Sequence, residues 1–424
     1  MLSTLLILVF IIAYSLIAFE HVVNINKAAI ALFSGVLSWI LVMWFSAEPH
    51  LLNEELMHHV SEISGILFFL MGAMTIVELI DAHQGFDVIT QQLTKVKPMS
   101  LLWIIAIVTF ILSAVLDNLT TTILIVSLLS KLLPQGKLRL LFAGMVVIAA
   151  NAGGAFSPIG DVTTTMLWIG GQVTSISLIK ALLLPSIINL LIPLVVLYLI
   201  IKKQKLVDAL VIPEIKMDSA KSSNSVFILI TGLLVLIAVP IFKVLFHIPP
   251  FMGVLFGLGI MWCITEIKNG KRDDVDKQNF SVAFALRNID TPSILFFLGI
   301  LLSISALQRS GVLTSLANSL NSTFSSQNTI LVLTGFMSAI IDNVPLVAAY
   351  QGMYSITEFA VDSSFWHLLA YSSGTGGSML IIGSAAGVVA MGIEKISFGW
   401  YLKNISLLAI LGYLAGFGVY LIFN

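Results

Sequence analysis

The eleven residues from Ser113 to Ile123, SAVLDNLTTTI, return at Ser338 to Ala348 as SAIIDNVPLVA, each copy setting an Asp-Asn in the middle of a long apolar run. A phrase written twice, about half a chain apart, is the mark of a duplicated structural unit. A carboxylate at membrane depth is costly unless it is paired, solvated or used. Two of them at matching places in a repeat therefore imply a crevice that handles ions.

The apolar runs around them are those of a membrane protein. With 58% hydrophobic and 10% charged residues, and a mean hydropathy of +1.03, the chain is too apolar for a soluble globular protein. Runs of adequate length lie at roughly Ser3 to Phe19, Lys27 to Phe45, Ser64 to Ile80, Leu141 to Trp168 and Ile176 to Ile201, and again at Val226 to Phe246, Phe251 to Ile264, Ile294 to Leu307, His367 to Met391 and Leu402 to Phe423. The opening segment, Leu2 to Ala18, lacks a basic leader and a small-residue cleavage site, and is read as the first span rather than as a signal peptide. Cys263 is the single cysteine, so no intramolecular disulfide is available. The glycine pattern Gly253 to Gly259 sits inside an apolar run with no strand before it, which excludes a dinucleotide-binding fold. The polar stretches Lys202 to Ser225 and Glu266 to Asp290 are too short to fold alone. An enzyme, a cofactor and a nucleic-acid partner are not expected; the bilayer is.

The repeat runs through the whole chain. ILFFL at Ile66 to Leu70 recurs at Ile294 to Leu298, and Gly153-Gly154 with Ile159-Gly160 answers Gly376-Gly377 with Ile382-Gly383. The offset drifts only from 228 to 225 to 223 residues across these anchors, as two copies with small loop changes would give. The expected division is an N-terminal repeat over 1–201, a linker over 202–225 and a C-terminal repeat over 226–424.

Topology turns on the stretches that hold the Asp-Asn phrases, Leu101 to Leu133 and Thr329 to Met353. Six spans per half would make the copies parallel. If these stretches are re-entrant hairpins, each half has five spans and the copies are inverted. Lysine and arginine arbitrate: five spans and an outside N-terminus put 18 of the 21 basic residues on one side, leaving only Lys180, Lys243 and Arg309 on the other. The expected fold is thus an all-α polytopic membrane protein of two inverted five-span repeats, each with a re-entrant hairpin and a broken helix. Both termini are expected outside.

After each hairpin comes a span interrupted by glycines, NAGGAFSPIGDVTTT from Asn151 to Thr165 and SSGTGGSMLIIGSAAG from Ser372 to Gly387. Gly153, Gly154, Pro158, Gly376 and Gly377 break helical hydrogen bonding and expose half-helix ends. Asp117, Asn118, Asn151, Asp161, Thr163 and Thr164 supply the hard oxygens that sodium prefers, with Asp117, Asn118, Asn151 and Asp161 as the core of the site. The second copy offers Asp342, Asn343, Ser338 and Ser378, but has Ser384 where Asp161 would stand and Gly374 where Asn151 would stand. Burial favours the protonated form of a carboxyl and a bound cation opposes it, so proton and sodium compete for the same oxygens. Asp117, Asp161 and Asp342 are also good helix caps, a role that needs no ion. Glu62, with His58 and His59 nearby, is read as lying at a span entrance.

These residues carry a resemblance. LDNLTTT from Leu116 to Thr122, NAGGAFSPIGDVTTT and IDNVP from Ile341 to Pro345 resemble the NhaD-type sodium/proton antiporters of the ion transporter superfamily, which also holds arsenite permeases and dicarboxylate transporters. The resemblance covers nearly the whole length. It implies inverted repeats, a homodimer whose transport domain moves against a fixed scaffold, and exchange of sodium or lithium for protons, with the bacterial inner membrane as the expected location. Matching functional positions are Asp117, Asn118, Asn151, Asp161, Thr163 and Thr164, then Ser338, Asn343 and Ser378. An arsenite or organic-anion carrier on the same scaffold is the alternative. The Ser-Asn-Thr signature of dicarboxylate relatives is absent from both tips, where Asp-Asn stands instead.

Overall fold

A computed structural model describes residues 1–18, 20–46, 49–88, 96–204, 219–269, 280–324 and 326–424. Most of the 202–225 linker, part of the 266–290 stretch, and Lys95, Lys205, Lys216, Lys271, Arg272 and Lys277 lie outside the described residues. Within them the chain is helical, and nine helices are long and apolar enough to cross a membrane.

In the first half the helices are α1 (Leu2–Ala18), α2 (Lys27–Trp44), α3 (Pro49–Ala82), α4 (Pro98–Leu116), α5 (Asn118–Leu132), α6 (Lys137–Ala155), α7 (Val162–Ile169) and α8 (Ser175–Lys203). The second half has α9 (Ser219–Phe246), α10 (Pro250–Asn269), α11 (Thr291–Arg309), α12 (Val312–Thr323), α13 (Gln327–Ser338), α14 (Asn343–Met353), α15 (Ser364–Gly376), α16 (Ala385–Glu394) and α17 (Leu407–Phe423). Each Asp-Asn stretch is two helices, and each glycine-rich span is two more. Asp117 sits between α4 and α5 at φ 93°, ψ 158°, a conformation that a side chain rarely adopts, and this stops the helix at that residue.

Two elements depart from the hydropathy reading. The helix around the run Ser64 to Ile80 begins earlier, at Pro49, because α3 extends past the membrane-length run with helix-forming Glu and Leu residues. Helix α12 gives no apolar run; its sequence VLTSLANSLNST is amphipathic and buries only Leu313 and Ala317.

The repeat is visible in packing as well as in letters. α4 packs on α6 as α13 packs on α15, and α2 packs on α11 as α10 packs on α3. Ser113 Oγ donates to the Ala150 carbonyl at 2.6 Å, and its counterpart Ser338 donates to the Ser373 carbonyl at 2.6 Å. A Cβ at Gly153 would collide with the Phe110 carbonyl and one at Gly376 with the Gly335 carbonyl, so both glycines are required by the same close approach of hairpin to broken helix. The halves also interlock: α5 lies against α16 of the other copy, and α14 against α7.

Polarity is distributed as lipid demands. Large apolar side chains such as Phe33, Trp44, Phe246, Phe256 and Leu407 are exposed, whereas Asn118, Asn151, Asp161, Thr163, Asn343 and Ser378 are buried. The chain is a multi-pass membrane protein.

Candidate functional site

Asp161 is the N-cap of α7, the short helix that follows the first break. Its Oδ1 accepts from the Thr163 backbone N–H at 2.9 Å and from the Thr163 hydroxyl at 2.8 Å. Asn118, the first residue of α5, donates its amide to Oδ2 at 2.6 Å and to Asn151 Oδ1 at 3.0 Å. Asn343, the first residue of α14, places its amide nitrogen 3.3 Å from both Asp161 oxygens. Asn151 donates in turn to the hydroxyls of Ser378, at 2.8 Å, and Ser384, at 2.9 Å. Both hairpin tips and the first helix break therefore meet on one carboxylate, the second break joins them through Asn151, and none of these seven side chains belongs to a residue more than 5% exposed.

The other two aspartates stand at one remove. Asp117 caps α5, accepting from the Thr120 N–H at 2.7 Å and the Thr120 hydroxyl at 2.8 Å, and borders a narrow cavity with Leu236, Val239 and Val254. Asp342 caps α14 through the Val344 N–H at 3.2 Å, while its own N–H donates to the Tyr14 hydroxyl at 2.8 Å. Among the described residues no ion pair involves any of the three. Thr164 turns its hydroxyl back to the Asp161 carbonyl at 2.9 Å, and Ser338 is held by Ser373, so both brace backbone rather than enter the network. The Pro158 carbonyl freed by the break accepts from Thr165 at 3.0 Å.

Sequence reasoning identified most of this cluster but left out Ser384, whose signal was its register with Asp161. It also missed Tyr401, which donates to the Ser378 carbonyl at 2.8 Å, and Tyr14; a lone tyrosine in an apolar run carries no spacing signal. Glu62 lies with His59 on a cavity of about 380 Å³ that reaches Met166 of α7 and Gln351 of α14.

Chemically the cluster is an oxygen site. It combines one carboxylate with three amides and three hydroxyls, and among the described residues no group of three or more His, Cys, Asp or Glu could hold a metal ion. Such a donor set suits a hard monovalent cation better than a transition metal. The Asp161 carboxylate is satisfied by neutral donors alone. For a cation to bind here, the amides would have to turn so that their oxygens face inward, and for a proton to bind, one of the donors would have to move away.

Known proteins are similar to this sequence. Residues 4–361 match the family described as citrate transporter. Sodium/proton antiporter 2 of Arabidopsis thaliana is 47% identical over 416 residues, covering 98% of each chain, and sodium/proton antiporter 1 of the same plant is 47% identical over 419 residues, covering 98% of this chain and 71% of that one. The Na(+)/H(+) antiporter NhaD of Vibrio cholerae is 29% identical over 448 residues, covering 98% of this chain and 91% of that one. The chain belongs to the citrate transporter family, among its sodium/proton antiporters. It is a transporter and not an enzyme. Antiporters named for sodium and protons are thus similar to it over 98% of its length.

Proposed function

We propose that this chain exchanges sodium, or lithium, for protons by alternating access, with Asp161 as the group that holds one ion or the other. The observation that carries this reading is a buried carboxylate, touched by neutral oxygen-bearing side chains from both hairpin tips and the first helix break, with no basic residue paired to it among the described residues. An anionic cargo would be repelled there, which disfavours an arsenite or organic-anion carrier. Asn118, Asn151, Thr163, Asn343 and Ser378 serve as neutral ligands. Asp117 and Asp342 flank the site as second carboxylates, and Thr164 and Ser338 hold its frame.

The two halves are read as inverted repeats with re-entrant hairpins, working as a homodimer in the bacterial inner membrane with both termini outside. The positive-inside distribution of Lys and Arg supports that orientation.

Dequenching of a pH dye in everted vesicles, on adding sodium, lithium or potassium, tests the reading. Wild type should respond to sodium and Asp161→Asn should not. A variant as active as wild type would remove Asp161 from the mechanism, and a wild type silent to all three cations would refute exchange itself.

A further inference from the structure

Gly374 lies in α15, just ahead of the second break, and its backbone does not ask for glycine. It is helical and has none of the positive φ seen at Gly136, Gly171 and Gly311. Glycine inside a helix costs about 1 kcal/mol relative to alanine, so something else must favour it. For its neighbours the reason is packing. A Cβ at Gly376 would collide with the Gly335 carbonyl, and one at Gly377 would stand 2.8 Å from the Gly383 carbonyl oxygen and 2.9 Å from Ser384 Cβ.

Gly374 is different. A Cβ there would meet Ala155 Cβ at 3.3 Å and the Asp161 Oδ2 at 3.8 Å, distances that a small adjustment accommodates. The missing side chain leaves space against the carboxylate itself. The repeat supplies the comparison, because Asn151 occupies the matching position 223 residues earlier and reaches Ser384, which stands where Asp161 would. One side of a pseudo-symmetric centre is filled by an amide, and the side facing the charge is left open.

We propose that Gly374 sets the room available to a cation at Asp161 Oδ2 and so selects among alkali ions by size; this rests on the exchange reading above. A larger ion needs longer bonds to its oxygen ligands and more space for them, whereas lithium needs least. A methyl group at this position narrows the space beside Asp161 Oδ2.

The test is the ratio of half-saturating sodium to half-saturating lithium, measured by dye dequenching in the same vesicle preparation. Gly374→Ala should raise the sodium value about tenfold and leave lithium within about threefold, the scale on which one methyl group discriminates in a closed site. Gly392→Ala, where a Cβ meets nothing, serves as a helix control and should leave the ratio unchanged. A Gly374→Ala protein that exchanges with the wild-type ratio, or that loses sodium and lithium equally, overturns the proposal. So does failure of both Gly374→Ala and Gly374→Ser to accumulate in the membrane, since the glycine would then serve packing. A wild type without any sodium response would instead refute the exchange reading.

Discussion

Asp117, Asp161 and Asp342 each cap a helix, and capping asks no charge of them. Asparagine caps about as well as aspartate, whereas alanine forfeits roughly 1 kcal/mol of helix stability at such a site. Substitution by Asn therefore separates charge from architecture. We expect Asp161→Asn, Asp117→Asn and Asp342→Asn to melt in detergent within a few degrees of wild type, with Asp161→Asn losing exchange altogether. The three Asp→Ala proteins should melt lower. Wild-type exchange by all three Asn variants would mean that the aspartates are caps and nothing more. At this scale the sequence was informative where chemistry was repeated: a charge inside an apolar run, twice, is hard to mistake. Ser384 and Tyr401 were obscure because a hydroxyl is tolerated almost anywhere in a helix and acquires meaning only from what it faces.

Between elements, the least expected tie is an ion pair. Arg139, at the start of α6, donates through Nε to Glu394 at the end of α16 at 2.6 Å, and through a second nitrogen to the Leu133 carbonyl that closes α5. The Glu394 side chain is fully buried and that of Arg139 is 13% exposed, so the pair ties the first hairpin and both broken helices together at the helix ends away from the breaks. Removing one partner of a buried pair strands the other charge and costs about 3–5 kcal/mol, while replacing both by apolar residues is often neutral. Glu394→Gln and Arg139→Gln should each lower the melting temperature sharply, and Arg139→Met with Glu394→Leu should recover most of the loss. A double variant as unstable as either single one would contradict this account. Nothing in the sequence announced the pair, since Arg139 counted as one of 18 basic residues on one side and Glu394 lies just past the run His367 to Met391 with no partner marked by spacing. The helix breaks were legible because glycine pairs have few other uses in a membrane helix, and α12 was not, because its Ser and Asn residues hide an amphipathic helix from any hydropathy threshold.

For the molecule as a whole, the two copies share one order of helices but differ in how their hairpins pack. α14 packs broadly against α11, whereas its counterpart α5 makes no comparable contact with α3, the counterpart of α11. Under the exchange reading, two copies of one unit whose hairpins are docked unequally describe one of two alternative states, and exchanging the docking of the copies generates the other. The contact to lose is the one around Gln308 and Gly352, where a Cβ on the glycine would stand 3.3 Å from the glutamine Oε1. The contact to gain lies at the repeat-equivalent positions, Ile80 of α3 and Ser127 of α5. Because Cys263 is the only native cysteine, Cys263→Ser provides a clean background. Cross-linking cysteines introduced at 308 and 352 should arrest exchange, and reduction should restore it. A pair at 34 and 303, where two serine hydroxyls lie 3.0 Å apart between α2 and α11, should cross-link without slowing transport, because those helices keep their packing in both states. The pair at 80 and 127 should become cross-linkable only when sodium and a proton gradient are both present. Full exchange by a protein locked at 308 and 352 would show that the docking difference is a fixed asymmetry of the fold and not half of a transport cycle.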